Sequence, residues 1–367
     1  MQPNRHVFKL PLVDFTSFAS SLSQTEKLYT AQAIHEANRQ HGFVCLRNSG
    51  IPKQSIEKAF GASRTLFDLD SSQKQSLKQI DPKSNTGYVG YGREALNRRR
   101  ATDLKEAFNV RNTSFMDSTD LEGTPEEFQE ATQDLWTLLK KLSDEYAACC
   151  AMALDLEEDY FSDTLKDMDL CTLRLLHYPP CDESDQTPKA GKESNECAIR
   201  VGEHTDFGIF TFLFVHDYHD ESSLGLQVKA VEGGEIDHSD NNVWNDIEFD
   251  QESLEIIDRD DTAALIVNTG ALMARWTNDV WRATAHRVIV SPKSYSSHRY
   301  SIAMFVDPDK ETVCSVHPKF VNNGEEPNYP PIKSIDYLLM KLREAQGESD
   351  DKGKNKSNIF CKCFVKK

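Results

Sequence analysis

Apolar residues recur every three to four positions in the first 154 residues of this chain and then, from about residue 170, gather into short strand-like runs. Residues 24–41 put Leu28, Ala31, Ile34, His35 and Ala37 at helical spacing, and residues 53–68 predict a second helix. A third, longer helix is expected from Pro125 to about Leu154, with Phe128, Ala131, Leu135, Leu138, Leu142, Tyr146 and Ala147 on one stripe. Pro125 suits its first turn, Thr124 its cap, and Glu126 and Glu127 its positive end. Between these helices, "VFKLPLVDF" (7–15) reads as a short strand leading to a turn, and "GFVCLRNSGIP" as a strand closed by Gly50 and Pro52. Residues 81–100 are rich in glycine and polar residues and read as loop, with Arg98–Arg100 as a solvated run.

The second half reads differently. "CTLRLLHYPP", "AIRVGEHTDFGIFTFLFV", "LGLQVKAV", "AALIVNTG", "WRATAHRVIV" and "RYSIAMFV" are rich in β-branched and aromatic residues and separated by turn-forming breaks. Many short strands of this kind predict a sandwich or barrel. Two polar insertions interrupt them, at 181–197 and 231–261, and a final helix is expected in "IKSIDYLLMKLREAQ". The last residues, 346–367, begin as disordered-looking sequence, and there is no internal repeat.

Composition narrows the partners. The 367 residues carry a formal net charge of −17, so a basic nucleic-acid-binding face is not expected. The nine cysteines are scattered, odd in number and without CxxC spacing, which argues against a disulfide framework or zinc ribbon. There is no apolar leader at the N-terminus and no run of about 18 apolar residues, so neither secretion nor a membrane span is expected. A reducing, cytoplasmic setting fits, with the "NTS" and "NKS" sequons as chance matches.

The chemistry centres on "VGEHTDFGIFTFLF". His204 and Asp206 are two apart in a strand-like run, so both side chains are expected on one face. An H-x-D pair is weak alone. His286, in "WRATAHRVIV", supplies a third ligand from a second strand-like run. Two imidazoles and one carboxylate make a facial triad with open positions, a set suited to non-haem Fe(II). An acid bound at the open positions would need a cation, and Arg299 and Ser301 again share one strand face. "HDYHDE" offers His216, His219 and Asp220, but polar turn residues surround them and a solvated loop is the better reading. His177 is read as a packed histidine facing away from Tyr178.

The chain resembles the Fe(II)/2-oxoglutarate-dependent dioxygenases of the isopenicillin N synthase-like group. The resemblance rests on "LPLVDF", "GFVCLRNSGIP", "GYVGYGRE", "DLKEAFNV", "LRLLHYPP", "HTDFGIFTFL", "GLQV", "NTGALMARWTND", "WRATAHRV", "RYSIAMFVDPD" and "YPPIKSIDYLLMKL", in order across about residues 7–345. It implies a mainly β fold with flanking helices (α+β), built on a double-stranded β-helix, or jelly roll. Within it, residues 1–120 would be an N-terminal helix and strand region, 121–345 the catalytic core and 346–367 a disordered tail. It implies His204, Asp206 and His286 as iron ligands, with Arg299, Ser301 and Tyr178 around 2-oxoglutarate. Fe(II), 2-oxoglutarate and O2 would be consumed or bound, with ascorbate as a reductant, to hydroxylate, desaturate or cyclise a small organic molecule. Tyr88, Tyr91 and Phe305 are candidate substrate contacts.

The chain departs from the family pattern in places. Leu176 stands where many plant members carry asparagine, which suggests a microbial-type branch, and Gly270-Ala271 replaces the usual Gly-Asp. The alternatives are an oxidase of the same fold that uses no 2-oxoglutarate, and a metal-binding scaffold without turnover. A monomer or weak oligomer is expected.

Overall fold

The computed structural model describes residues 6–19, 23–81, 84–94, 103–115, 118–180, 199–219, 224–229, 243–290 and 296–346. In chain order its strands are β1 (His6–Lys9), β2 (Leu12–Asp14), β3 (Phe43–Arg47), β4 (Gly87–Val89), β5 (Glu106–Val110), β6 (Thr172–Tyr178), β7 (Ile199–His204) and β8 (Phe210–Val215). They continue as β9 (Leu226–Lys229), β10 (Trp244–Glu248), β11 (Leu265–Thr269), β12 (His286–Ile289), β13 (Arg299–Val306), β14 (Val313–Cys314) and β15 (Ile332–Lys333). The helices are α1 (Thr16–Ala19), α2 (Gln24–Gln40), α3 (Lys53–Phe67), α4 (Ser71–Ser76), α5 (Glu126–Ala153), α6 (Gln251–Arg259), α7 (Ala271–Trp276) and α8 (Ser334–Gln346).

Two sheets face each other as a double-stranded β-helix. The larger has the order β2-β3-β11-β8-β13-β6-β5-β4, and the smaller β1-β10-β9-β12-β7. Ala107, Leu176, Val215, Ile266 and Ala303 of the large sheet meet Val201, Leu226, Val228, Ile247 and Val288 of the small one. The other face of the large sheet carries Phe108, Leu173, Leu175, Phe212, Phe214 and Ile302, which pack on Ile34, Phe60, Leu135, Leu142 and Tyr146 of α2, α3 and α5. Both faces of this sheet are therefore covered, which is why β8 and β11 read as nearly continuous apolar runs instead of alternating. The strand-rich, helix-flanked architecture expected from the sequence is the one observed.

Local details differ from the sequence reading. Leu28 is 45 % exposed, and α2 instead buries Thr30, Ala31, Ile34, Ala37 and Asn38. Its start is a capping box between Ser23 and Glu26. Pro125 is the cap residue of α5 and lies outside its first turn, while the Thr124 hydroxyl donates to the Leu121 carbonyl. Residues 81–100, expected as loop, hold a strand, β4, and the polar insertion at 231–261 holds β10 and α6. The run 199–215 is two strands broken at 205–209, not one. The insertion at 181–197, Arg98–Arg100 and the tail from 347 onward lie outside the described residues.

The helix layer holds the large sheet in place through aromatic packing. Phe128 of α5 is fully buried and meets Phe108 of β5 edge-to-face at 5.2 Å. Phe128→Ala is expected to lower stability by about 3–5 kcal/mol, read as a lower urea midpoint with an unchanged slope.

Candidate active site

One end of the inter-sheet layer is built from β7 and β12. His204 pairs with His286 and Val201 with Val288, so three steps on β7 oppose two on β12 and the ladder slips by one residue. That slip turns His204 onto the same face as Val201, toward the space between the sheets. Asp206 does not share a strand face with His204, as its spacing suggested. β7 ends at His204, and Asp206 lies in the turn that leads to β8.

This turn is held by the start of α7. The Ala271 backbone N–H donates to the Asp206 carbonyl at 2.7 Å, Gly270 to Ile209 at 3.0 Å and Leu272 to Phe207 at 3.1 Å. Gly270 allows the approach, because a Cβ there would lie 2.1 Å from the Gly208 carbonyl oxygen. The Gly270-Ala271 departure is thus a contact point of the turn that carries Asp206.

His204, Asp206 and His286 offer ligand atoms that all lie within 4.8 Å of one another, and no other such group of three occurs among the described residues. The Asp206 Oδ1 is 3.6 Å from His204 Nε2 and 3.7 Å from His286 Nε2. Each imidazole is oriented from behind: His204 Nδ1–H donates to the Gly202 carbonyl at 2.7 Å and His286 Nδ1–H to the Thr284 carbonyl at 3.1 Å. Since a carbonyl can only accept, each Nε2 is left with its lone pair toward the centre. The Asp206 Oδ2 accepts from Thr211 Oγ1 at 2.6 Å and Asn268 Nδ2 at 2.7 Å, which turns Oδ1 inward. Phe43 packs edge-to-face on His286 at 5.4 Å.

The electrostatics suit a cation. Burial, then the neighbouring His286, lowers the His204 pKa, which favours the uncharged ring that a metal ion requires. Burial pushes the Asp206 carboxyl up, but the two imidazoles and the hydrogen bonds from Asn268 and Thr211 outweigh it and hold it below its ordinary value. Two imidazole nitrogens and one carboxylate oxygen, with no thiolate in the set, fit a divalent first-row ion such as Fe(II). The described cysteines, at 45, 149, 150, 171 and 314, are buried free thiols elsewhere.

Arg299 and Ser301 project from β13 on the face that looks between the sheets, and both are buried. Arg299 pairs with Tyr178 across the ladder, lies 4.6 Å from its ring centroid and donates to the Leu224 carbonyl at 2.9 Å. A buried guanidinium beside a hydroxyl is a fitting grip for a carboxylate. Phe305 lies farther along the same face, opposite Thr211. Tyr88 does not join this face. It packs on the helix side and its hydroxyl donates to Glu106, while Tyr91 is 43 % exposed at the surface. His177 is packed, as expected, and donates to Glu106 at 2.7 Å. His216 and His219 are exposed and pair separately with Arg64 and Asp258, and Asp220 lies outside the described residues.

Sequence reasoning missed Thr211, Asn268 and Asp307. The first two were marked only as lone polar residues inside apolar runs, "FTFLF" and "LIVNT". Asp307 follows β13, and a Cβ on Gly208 would meet its carboxylate oxygen at 3.1 Å. Burial raises its pKa to about 7, with Arg111 opposing and Asp206 adding to the rise.

The chain as a whole is similar to known proteins. The family described as non-haem dioxygenase in morphine synthesis N-terminal matches residues 10–131, and the 2OG-Fe(II) oxygenase superfamily matches 170–308. The chain is 27 % identical over 357 residues to a 2-oxoglutarate-Fe(II) type oxidoreductase, hxnY, of Emericella nidulans, covering 93 % of this chain and 91 % of that protein. It is similar to the crystal structure of a full-length Neurospora crassa protein in complex with alpha-KG, at 30 % identity and a TM-score of 0.70, covering 91 % of this chain and 95 % of that one. The same Neurospora protein with alpha-KG and thymine matches at 28 % identity and a TM-score of 0.71, covering 91 % and 96 %.

Two outcomes are expected. Gly270→Ala should displace the Asp206 turn and lower both melting temperature and divalent-metal affinity, the latter at least tenfold by calorimetry. Asp307, with its pKa raised in the fold, contributes stability present below its ordinary value of 3.8 and lost as pH rises through about 7. Asp307→Asn should therefore gain melting temperature relative to the parent between pH 5 and pH 8; an equal difference at both pH values would show that Asp307 does not titrate there.

Proposed function

This chain belongs to the Fe(II)- and 2-oxoglutarate-dependent dioxygenases of the isopenicillin N synthase-like family, and we propose that His204, Asp206 and His286 hold its iron while Arg299, Ser301 and Tyr178 hold its 2-oxoglutarate. It is an oxidoreductase that uses Fe(II), 2-oxoglutarate and O2, and it acts on a small molecule. The observation that carries the residue assignment is the orientation of the triad, with every outward-facing ligand nitrogen and oxygen already satisfied by the scaffold.

When bound, iron and 2-oxoglutarate supply two-electron oxidation of a substrate C–H bond by O2, with 2-oxoglutarate going to succinate and CO2. The protein's part is binding, orientation and exclusion of water. Gly202 and Thr284 fix the imidazole tautomers, and Thr211 and Asn268 fix the carboxylate. Arg299 and Ser301 would anchor the far carboxylate of 2-oxoglutarate, so that its other end is directed along the sheet toward the triad. Leu176 and Ala107, beside Ser301 on the same face, keep this stretch apolar and dry.

The outcome on substrate is a hydroxylation, with desaturation or ring closure available to the same chemistry. The thymine bound in the solved relative supports a small, polar organic substrate here. On this reading residues 121–345 are the catalytic core and 1–120 its N-terminal region. No described helix is long and apolar enough to cross a membrane. The buried free thiols support a reducing, cytoplasmic setting. We take the working unit to be a monomer or weak oligomer.

His204→Ala and Asp206→Ala should each abolish succinate formation from 2-oxoglutarate while the protein stays folded by circular dichroism. Arg299→Ala should raise the KM for 2-oxoglutarate about tenfold to a hundredfold, the loss expected of a charge-assisted pair. Full succinate formation in Asp206→Ala would overturn the assignment.

A further inference from the structure

The face of the large sheet that looks between the sheets is laid out in rows. Arg299 and Tyr178 form one, Ser301 and Leu176 the next, then Ala303 with Arg174, then Phe305 with Thr172 and Thr211. Asn109 of β5 joins the third row as the direct cross-strand partner of Arg174. This row therefore sits between the Arg299 grip and Thr211, which holds Asp206.

Two polar atoms in that row have no hydrogen-bond partner among the described residues: Asn109 Oδ1 and Arg174 Nε. Asn109 is 2 % exposed, and its Nδ2 is spent on Asn85 Oδ1 at 3.0 Å. Arg174 spends one terminal nitrogen on Glu94. Buried polar atoms are rarely left unpaired, because desolvation without a partner is costly. Here an acceptor and a donor are orphaned side by side on neighbouring strands, with Cβ atoms expected roughly 5 Å apart.

Charge narrows what they can bind. Glu94 pairs with both Arg174 and Lys105, and Lys105 also pairs with Asp103 at 2.9 Å, so two cations face two carboxylates and their sum is zero. Burial pushes Glu94 up, but Arg174 and Lys105 outweigh it and hold its pKa at about 2, so the carboxylate stays ionised beside Arg174. An acidic ligand would meet that carboxylate, and a cationic one would find Arg174. A neutral ligand with one donor and one acceptor fits both orphans.

We infer that Asn109 Oδ1 and Arg174 Nε–H recognise an amide-like group of the substrate, an N–H beside a C=O as in a lactam, imide or carboxamide. The inference rests on the site being the 2-oxoglutarate-dependent centre read above. The substrate N–H donates to Asn109, and its carbonyl accepts from Arg174. Both act as specificity-determining residues, placed on β6 and β5 to the side of the line that runs from Arg299 on β13 to Thr211 on β8.

The test is anaerobic calorimetry on protein loaded with Fe(II) and 2-oxoglutarate. The probes are 2-pyridone, N-methyl-2-pyridone, which lacks the donor, and benzoate. The parent should bind 2-pyridone at least tenfold more tightly than either other probe. Asn109→Leu removes the acceptor, and Arg174→Lys removes the Nε donor while keeping the charge for Glu94. Each should weaken 2-pyridone at least tenfold and leave the Kd for 2-oxoglutarate within twofold. A parent that binds no 2-oxoglutarate overturns the co-substrate reading and this inference with it. A parent that binds 2-oxoglutarate but does not prefer 2-pyridone overturns the inference alone, as do variants that hold it as tightly as the parent.

Discussion

One buried carboxylate divides its two oxygens between scaffold and centre, and the catalytic end of the molecule depends on that division. Asp206 Oδ2 takes hydrogen bonds from Thr211 on β8 and Asn268 on β11, neighbouring strands of the large sheet. Oδ1 is then free to face His204 and His286 of the small sheet. Removing a carboxylate from water costs several kcal/mol unless it is hydrogen-bonded or paired. The same contacts that lower this cost therefore aim the ligand atom. They also tie the two sheets together at the point where a metal must be held.

The surroundings follow from that constraint. The Asp206 turn must lie close under α7, which the missing Cβ of Gly270 permits, and close beside the end of β13, which the missing Cβ of Gly208 permits. The large sheet must stay rigid, and its second face is sealed by the aromatic layer beneath α2, α3 and α5. The interior face is left for chemistry, graded from the buried Arg299 at one end to Thr211 at the other. Several polar groups on this face are held by partners, Thr211 and Asn268 by Asp206 among them, while Asn109 Oδ1 and Arg174 Nε have none among the described residues.

Much of this was legible in the sequence, and for particular reasons. His204, Asp206 and His286 stand out because imidazoles and carboxylates are costly inside apolar strand runs. Arg299 and Ser301 are visible through strict two-residue alternation, which holds in β13. The same alternation misled at Asp206, because strand pairing slips on β7 and the strand ends before it; a slipped ladder leaves no local mark. Tyr88 was placed beside the substrate because an aromatic in a glycine-rich stretch looks like loop. It lies in β4 and faces the helices, a fact set by pairing with β5 some twenty residues away. Thr211, Asn268, Asn109 and Arg174 matter through partners distant in the chain, which single-sequence periodicity does not carry.

The central claim is that these three side chains and Arg299 together hold iron and its acid co-substrate. The most direct measurement is anaerobic titration of metal-free protein with Fe(II) and then 2-oxoglutarate, followed by visible absorption. The account predicts a saturable charge-transfer band at one equivalent of each, absent in Asp206→Ala and shifted to much higher 2-oxoglutarate concentration in Arg299→Ala. Tight Fe(II) binding with no band at any 2-oxoglutarate concentration, or an unchanged band in Asp206→Ala, would contradict it.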